Sequence, residues 1–321
     1  MPVAVRLPRP PRHGGFLDHL RAGLSPEVTL IVEEDGPCDV LVDGTPDRAR
    51  IEASTGLRAV VIPYAGVPRA TRELLRGFRW IEVHNLHHNA APTAELAIAL
   101  LLAAGKTLVP LDRALRRRDW RPRYAPERRD DLLCAGRTAL VLGYGAIGRR
   151  VAAACRGLGM SVVATRRSGP CDGPDEVHAA ADLESLLPRA HAILLCLPST
   201  GETDGLLGRA QLARLPDGAV LVNVGRGPIV EEKALYDELA SGRLAAGLDV
   251  WYRYPEEEEA RGDTAPATEP FHELDNVVLS PHRAGLCADT ERLRAEALAE
   301  MLNGAARGEP MPHRVDLDRG Y

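Results

Sequence analysis

The chain has 321 residues, of which 45% are hydrophobic, and a formal net charge of −5 at pH 7. This length suits two domains of ordinary size, each large enough for a core of its own. The 40 basic and 45 acidic residues are spread along the chain without a basic stripe. That distribution argues against nucleic acid as the main partner.

The six cysteines are scattered, and none stands in a C-x-x-C pair or a cluster typical of a metal site. They indicate a reduced, cytoplasmic setting. The segment Met1–Arg6 lacks the apolar region of a signal peptide, and no apolar run approaches membrane-spanning length. We therefore expect a cytoplasmic protein with no bound metal and no membrane partner.

Residues 1 to about 90 alternate short apolar runs with a helix-like segment. The predicted strands are Val28–Val32, Val40–Val42, Ala59–Ile62 and Trp80–Val83, and the predicted helix is Arg72–Phe78. This alternation favours a parallel sheet with helices, an α/β fold. Ala65 and Gly66 follow a strand, where such folds present ligand-binding loops. A plain turn is the alternative.

A polar turn, His84–Pro92, then leads to Thr93 as a plausible N-cap. The apolar segment Leu96–Leu108 has few polar positions, which predicts a largely buried helix. We place the first domain boundary at its start. Residues 121–136 are rich in Pro, Arg and Asp, and we interpret them as a linking arm on the surface.

The apolar run Ala139–Leu142 enters Gly143-Tyr144-Gly145-Ala146-Ile147-Gly148, and a helix-like segment, Arg149–Gly157, follows. A strand, G-x-G-x-x-G and a helix in this order indicate a dinucleotide site. Gly143 permits the tight turn, Gly145 lets the backbone approach a pyrophosphate, and Gly148 lets helix and strand lie close together. The helix N-terminus then faces the phosphates. An ordinary glycine-rich turn is the alternative.

The next predicted strand, Ser161–Ala164, ends in Thr165-Arg166-Arg167. An NAD-binding fold normally has Asp or Glu there, which accepts hydrogen bonds from the ribose hydroxyls. Two guanidinium groups would instead bind a 2′-phosphate in bidentate fashion. The sequence therefore predicts NADP as the preferred cofactor, with NAD possible. The alternative is that both arginines are solvated and NAD binds without an acidic residue.

Further strands are predicted at Ala192–Leu197, Ala219–Val224, Ala246–Val250 and Asn276–Ser280, and helices at Glu231–Leu239 and Thr290–Asn303. Arg226, Asp249 and His282 stand at the carboxyl ends of these strands, where parallel sheets bind ligands. Arg226 would hold a substrate carboxylate, and His282 would exchange the hydroxyl proton because its pKa lies near neutrality. Taken singly, each residue has a purely structural alternative.

Several stretches together resemble the D-isomer-specific 2-hydroxyacid dehydrogenase family. They are Ala65-Gly66, Asn89, Thr93-Ala94-Glu95, Gly143–Gly148, Val222–Gly227 with Val230, Gly247–Val250 and Asn276–His282. The resemblance covers essentially the whole chain, in the order of the family. It implies two Rossmann-like domains, each a doubly wound parallel sheet, with the active site in the cleft. The substrate domain would be discontinuous, residues 1–92 plus 288–321, with the cofactor domain at 93–287. It also implies a homodimer formed through the cofactor domain.

The resemblance also implies roles for individual residues. Arg226 would bind the 2-oxo acid, His282 would be the acid/base, and Asp249 would bind the nicotinamide carboxamide. Ala65 and Gly66 would offer backbone N–H groups to the substrate carboxylate, with Asn89 as a further donor. The remaining expected cofactor contacts are Tyr144, Gly145, Ala146, Ile147, Thr165, Arg166, Arg167, Leu197, Pro198, Thr203, Val224, Gly225 and Ala284. His87 and His88 could extend recognition to a phosphonate or a second carboxylate, or could be solvated loop residues.

One position departs from the family pattern. The family usually has a glutamate that pairs with the histidine just before the proline after Leu-Asp-Val, and Tyr254 occupies that place here. A tyrosine can form a hydrogen bond but carries no charge near neutral pH. We expect Tyr254 to be an aromatic wall or a neutral partner of His282. The alternative is that Glu256 or Glu269 folds back to pair with it.

These observations predict an NAD(P)-dependent oxidoreductase that reduces a 2-oxo acid to a 2-hydroxy acid. Two alternatives remain open at this point. One is a dehydrogenase that oxidises a small anion such as phosphite or formate, and the other is a dinucleotide-sensing protein without turnover. The size of the substrate side chain depends on loops whose shape the sequence does not give.

Overall fold

The computed structural model describes residues 2–11, 15–125, 131–169, 171, 173 and 175–320. Within these residues the strands are β1 Val3–Leu7, β2 Val28–Val32, β3 Val40–Val42, β4 Ala59–Ile62, β5 Glu82–Asn85, β6 Thr138–Leu142, β7 Ser161–Arg166, β8 Glu176–Ala179, β9 Ala192–Leu195, β10 Val220–Asn223, β11 Ala245–Leu248 and β12 Val277–Leu279. The α-helices are α1 Phe16–Gly23, α2 Arg48–Ala53, α3 Arg69–Leu75, α4 Ala90–Gly105, α5 Leu108–Arg116, α6 Arg121–Tyr124, α7 Ala146–Gly157, α8 Leu183–Leu186, α9 Arg209–Leu212, α10 Glu232–Ala240 and α11 Thr290–Ala306.

The chain divides into two compact units. Unit 1 comprises residues 1–89 and 285–321, and unit 2 comprises residues 90–284. The boundaries expected from the sequence, 92/93 and 287/288, lie three residues from these. In the described residues each unit has a sheet whose strands pair in parallel, in the order β2-β1-β3-β4-β5 for unit 1 and β12-β11-β10-β9-β6-β7-β8 for unit 2. The predicted α/β class with two Rossmann-like sheets is thereby confirmed.

In unit 1 the first and last helices close the core over one face of the sheet. Phe16 and Leu20 of α1, with Leu298 and Leu302 of α11, are fully buried beside the side chains of β1 and β3. Burial of such a side chain contributes about 1.5–3 kcal/mol. The segment after α11 then follows the edge of β5, because the Val315 N–H donates to the Val83 carbonyl at 2.7 Å.

In unit 2 the apolar helix α4 lies directly on β10 and β11. A Cβ at Gly247 would come within 2.6 Å of the Leu100 Cβ, so only glycine permits this approach. Buried residues such as Ala97 and Leu101 line the face that meets the sheet. Helix α4 therefore covers β10 and β11, the strands that end just before Arg226 and Asp249.

Most predicted elements are confirmed, with corrections at their ends. The helix expected at Leu96–Leu108 begins at Ala90, so Thr93 is buried inside α4 and is not its N-cap. The helix expected at Arg72–Phe78 is Arg69–Leu75, and the strand expected at Trp80–Val83 is Glu82–Asn85. The arm expected over 121–136 begins with the short helix α6, and residues 126–130 lie outside the described residues.

Among the described residues, no single helix is long and apolar enough to cross a membrane. Two helices in succession, α4 and α5, meet that test jointly by length and composition, with a bend of 66° between them.

Candidate active site

The glycine-rich loop between β6 and α7 is a tight, sterically fixed turn. Gly143 has a positive φ of 94°, and a Cβ there would lie 2.7 Å from the Cys196 carbonyl oxygen. A Cβ at Gly148 would collide with the Gly143 carbonyl oxygen. The Thr165 carbonyl at the end of β7 accepts the N–H groups of Gly143 and Tyr144, both at 3.0 Å. These contacts fix the loop against the sheet.

The start of α7 offers a place for an anion. Gly145 is the N-cap. Within the described residues no side chain caps the helix, and no atom other than those of its chain neighbours lies within 4 Å of a Cβ built at Gly145. The first N–H groups of a helix have no partner within the helix, so those of Ala146 and Ile147 remain available to a ligand. Open space beside uncapped N–H groups fits the pyrophosphate of a dinucleotide.

Tyr144, the second residue of the glycine motif, is nearly fully buried. Its hydroxyl donates to Asp175 Oδ2 at 2.5 Å, and Arg156 of α7 forms an ion pair with the same carboxylate. Burial and this carboxylate raise the pKa of Tyr144. The side chain of Tyr144 therefore anchors the loop, and its backbone is what the loop presents.

The two arginines expected at the adenosine end lie where β7 finishes. Arg166 is the last residue of the strand and is half-buried, and Arg167 follows it with an exposed side chain. The Thr165 side chain is buried and faces the interior. The ribose-binding acid of an NAD site is therefore replaced by Thr165-Arg166-Arg167 at this strand end.

The turn that carries Arg226 is held by Asn223, the last residue of β10. The buried Asn223 side chain accepts the Gly225 N–H at 3.0 Å and donates to the Arg226 carbonyl at 2.9 Å. The guanidinium of Arg226 donates to the Gly225 carbonyl at 2.7 Å and remains partly exposed. A Cβ at Gly225 would lie 2.6 Å from the Leu197 carbonyl oxygen, which brings the ends of β9 and β10 together.

Asp249 fixes the segment that carries His282. Its carboxylate is buried and accepts Ser280 Oγ at 2.5 Å, the Arg283 N–H at 2.8 Å and the Ala284 N–H at 2.9 Å. A carboxylate has about four acceptor sites, so one remains for a further donor. The arrangement holds the His282 backbone from both sides.

His282 has a positive φ of 55°, which non-glycine residues rarely adopt. Partial burial of the imidazole lowers the pKa of His282, the Arg226 charge lowers it further, and Asp249 acts in the opposite direction. A strained backbone held by a buried carboxylate is typical of functional positions. At neutral pH the imidazole is mainly uncharged.

Tyr254 lies beside His282, with the ring centroids 5.4 Å apart and the ring planes tilted by 55°. The Tyr254 hydroxyl accepts the Trp251 N–H at 3.0 Å, and burial raises the pKa of Tyr254. Across the residues that the structure describes, no carboxylate forms an ion pair with His282. Glu256 is exposed, and the Glu269 N–H donates to Glu232 Oε1.

The candidate substrate residues of unit 1 follow β4 and β5. Asn85 Nδ2 donates to the Ala65 carbonyl at 2.5 Å and fixes the loop of Ala65 and Gly66. His88 and Asn89 lie just beyond β5 and are half-buried. Burial is the main cause that lowers the pKa of His88 to about 4, with the Arg294 charge second. His88 is therefore half-buried, and its role in recognition stays a prediction.

The other expected cofactor residues lie at the carboxyl ends of β9, β10 and β12. Thr203 Oγ1 donates to the Pro198 carbonyl at 2.6 Å and folds the loop after β9 onto itself. Leu197 is half-buried, and Val224 and Ala284 are buried. Among the described residues, no group of three His, Cys, Asp or Glu side chains could hold a metal ion.

Sequence reasoning missed the residues that position these groups. Asn223, Ser280, Trp251 and Arg294 act through hydrogen bonds or charge, and the sequence placed none of them in the site. A polar residue at the end of a strand is the signal that identifies both: Asn223 is the last residue of β10, and Ser280 directly follows β12. Arg294 lies in a helix far along the chain, and no local pattern connects it with His88.

Comparisons with known proteins identify the family of the chain. The family model described as D-isomer specific 2-hydroxyacid dehydrogenase, NAD binding domain, matches residues 98–284. The chain is 34% identical over 314 residues to a glyoxylate reductase of Korarchaeum cryptofilum, covering 94% of this chain and 90% of that protein. It is 33% identical over 232 residues to a D-3-phosphoglycerate dehydrogenase of Archaeoglobus fulgidus, of which it spans only 41%. A solved structure with a similar fold is a probable 2-hydroxyacid dehydrogenase from Rhizobium etli, with a TM-score of 0.79, 23% identity, and coverage of 100% of this chain and 99% of that one.

Proposed function

The chain belongs to the D-isomer-specific 2-hydroxyacid dehydrogenase family, whose members are NAD(P)-dependent oxidoreductases, and on that premise we propose that it reduces a 2-oxo acid to a 2-hydroxy acid. The observation that carries the proposal is the arrangement of His282, Arg226 and Asp249. The His282 imidazole stands on a strained backbone, and the Arg226 charge lowers its pKa. The buried Asp249 carboxylate holds the segment in place. This arrangement supports proton transfer to a developing alkoxide.

A dinucleotide held at the start of α7, by Gly145, Ala146 and Ile147, would supply hydride chemistry at C2 of the substrate when bound. His282 donates the proton that the C2 oxygen requires, so its protonated form is the active one in reduction. Arg226 binds the substrate carboxylate and polarises the 2-oxo group through its fixed charge. Asp249 keeps His282 in position and has one acceptor site for a carboxamide N–H.

Unit 1 contributes groups that bind the substrate. The Ala65 and Gly66 backbone N–H groups donate to the carboxylate, in a loop that Asn85 already holds in place. Asn89 and His88 provide further polar groups. Preorganised donors of this kind cost little entropy when the substrate binds.

We propose NADPH as the preferred reductant. Arg166 and Arg167 stand at the end of β7 and support binding of a 2′-phosphate, which an acidic residue there would repel. The test is kcat/KM for NADPH against NADH, with Arg166→Ala/Arg167→Ala beside the wild type. We expect kcat/KM of the double variant to fall at least tenfold with NADPH and to change little with NADH. Equal losses with both cofactors would contradict the assignment.

We also propose a homodimer that forms through unit 2. Large apolar side chains are exposed along residues 108–133: Leu108, Leu115, Trp120, Tyr124 and Leu133 are between 51% and 77% exposed. Several exposed apolar side chains in one stretch of the chain support an interaction surface there. Light scattering should give twice the chain mass, and Trp120→Asp/Tyr124→Asp should give a monomer.

The unpaired cysteines also support a reducing, cytoplasmic location.

The activity itself is tested by the loss of nicotinamide absorbance with glyoxylate, pyruvate, hydroxypyruvate and phenylpyruvate. We expect turnover with at least one acid, and a fall of about 10²–10⁴ in kcat for His282→Gln. His272→Gln is the matched control, because this exposed histidine lies outside the proposed site. Turnover of phosphite or formate alone would refute the proposal.

A further inference from the structure

Trp251 is a buried tryptophan just after β11, and it contacts the segments that carry the proposed catalytic groups. Its indole N–H donates to the Ser280 carbonyl at 2.8 Å, and its backbone N–H donates to the Tyr254 hydroxyl at 3.0 Å. A Cβ at Gly227 would collide with the Trp251 carbonyl, so the turn of Arg226 lies directly against this residue. Trp251 therefore meets the chain before His282, the ring beside it and the turn of the guanidinium.

The Ser280 carbonyl is the point from which the backbone of His282 is held. The His282 N–H donates to this carbonyl at 3.1 Å, across Pro281, which has no N–H of its own. Such a hydrogen bond between a carbonyl and the second residue after it closes a tight turn. The indole of Trp251 donates to the same oxygen, so it fixes the atom on which the turn of His282 closes.

Asp249 holds the rest of this segment but cannot hold the Ser280 carbonyl. Its carboxylate accepts Ser280 Oγ and the N–H groups of Arg283 and Ala284. A carboxylate only accepts hydrogen bonds, whereas a carbonyl requires a donor, and an indole N–H only donates. The two side chains are therefore complementary. They hold His282 at a φ of 55°, a backbone conformation that persists only where its surroundings enforce it.

We propose that Trp251 is a positioning residue for His282. Its indole N–H fixes the Ser280 carbonyl, and through this carbonyl the strained backbone that directs the imidazole toward the C2 oxygen of the substrate. In this chain, where the family glutamate is absent, the imidazole is oriented through its backbone and not by a charged partner. This inference rests on the proposed function, because it assigns a role in the same proton transfer.

The first experiment removes the indole N–H and keeps an aromatic ring. In Trp251→Phe we expect kcat for 2-oxo acid reduction to fall about 10–100-fold, because a displaced catalytic group slows the chemical step. KM for the acid, and Kd for NADPH from nicotinamide fluorescence, should change less than about threefold, since the binding groups stay in place.

Phe271→Leu is the matched control for packing. The Phe271 ring lies edge-on to the Trp251 ring, with the centroids 6.2 Å apart, so this variant loosens the packing and leaves the indole N–H in place. Its urea midpoint should fall, whereas its kcat should change less than about threefold.

The second experiment does not depend on turnover. Histidine ¹³C–¹H NMR spectra of the protein without ligands give the pKa of His282, and His282→Gln assigns its signal among those of the 10 histidines. Burial and the Arg226 charge lower this pKa while the imidazole is held in place, and Asp249 opposes them. The pKa should therefore rise toward its ordinary value in Trp251→Phe and stay unchanged in Phe271→Leu.

Benzothienylalanine at position 251 replaces the N–H by sulfur in a ring of nearly the same shape. It should reproduce the changes in kcat and in the pKa of His282 even if Trp251→Phe does not fold. A wild-type kcat with an unshifted pKa, or equal changes in Trp251→Phe and Phe271→Leu, would overturn the inference and leave the proposed function intact. Failure of the wild type to reduce any 2-oxo acid would instead reject the proposed function, and the NMR titration would still test whether the indole positions His282.

Discussion

Replacing Tyr254 by glutamate restores the carboxylate that the family pattern has at this position. The Tyr254 ring lies 5.4 Å from that of His282, and within the described residues no carboxylate pairs with this histidine. A carboxylate there would stabilise the imidazolium form, because an opposite charge at such a distance favours the charged state. The pKa of His282, now lowered by burial and by Arg226, should therefore rise.

The size of this rise follows from the distance. Two unit charges 5.4 Å apart interact by about 3 kcal/mol at an effective dielectric constant of about 20, which equals about 2 pKa units. Tyr254 is 44% exposed, so solvent screens the new charge and reduces the effect. We expect an increase of about 1 unit in the pKa of His282.

The assay is kcat/KM for 2-oxo acid reduction as a function of pH. Reduction requires protonated His282, so the rate falls as pH rises through its pKa, and this basic limb should move up by about 1 pH unit in Tyr254→Glu. Tyr254→Gln, which adds no charge, is the matched control and should leave the limb in place. An active Tyr254→Glu enzyme with an unshifted limb would refute the assignment of His282 as the proton donor beside Tyr254.

Three other variants test the fold. Asp249→Ala removes three hydrogen bonds to the segment of His282, so urea unfolding should show a loss of about 2–4 kcal/mol, together with a lower kcat. Asp43→Ala leaves two arginine side chains without their buried acceptor and should cost about 3–5 kcal/mol by the same method, whereas an unchanged midpoint would contradict the pairing. The pKa of His87 and of His88 is lowered to about 4 in the folded chain, so the unfolded chain binds more protons and stability falls as pH drops from about 6.5 to about 4. Thermal unfolding of His87→Gln/His88→Gln should show a flatter pH dependence, and an equal slope would argue against their burial.

The strands and the dinucleotide loop were predictable because they depend on local pattern. Apolar runs such as Ala59–Ile62 coincide with β4, and the glycine spacing of Gly143 to Gly148 marks the turn that the backbone requires. The start of α4 was predicted wrongly, because Thr93 resembles an N-cap in sequence. Burial against the sheet extended the helix to Ala90, so tertiary packing outweighed local preference.

The candidate site was predictable only where the residue itself does the chemistry. Arg226 and His282 stand at strand ends, which the apolar runs locate. The segment of His282, which has a positive φ, is held by Asp249, which lies more than thirty residues earlier. Such contacts come from the crossing of distant elements, which periodicity in one sequence does not encode.

The discontinuity of unit 1 has a consequence for the order in which the chain acquires structure during translation. Unit 2 is one continuous stretch, so all of its strands leave the ribosome before α11 does. Leu298 and Leu302, which complete the core against α1, are made only after the whole of unit 2. Until then the apolar face of α1 and β1 has no cover, and its closure requires contacts of very long sequence separation. The nascent chain must therefore protect this face while the whole of unit 2 is synthesised, and truncation before α11 should leave unit 1 dependent on chaperones.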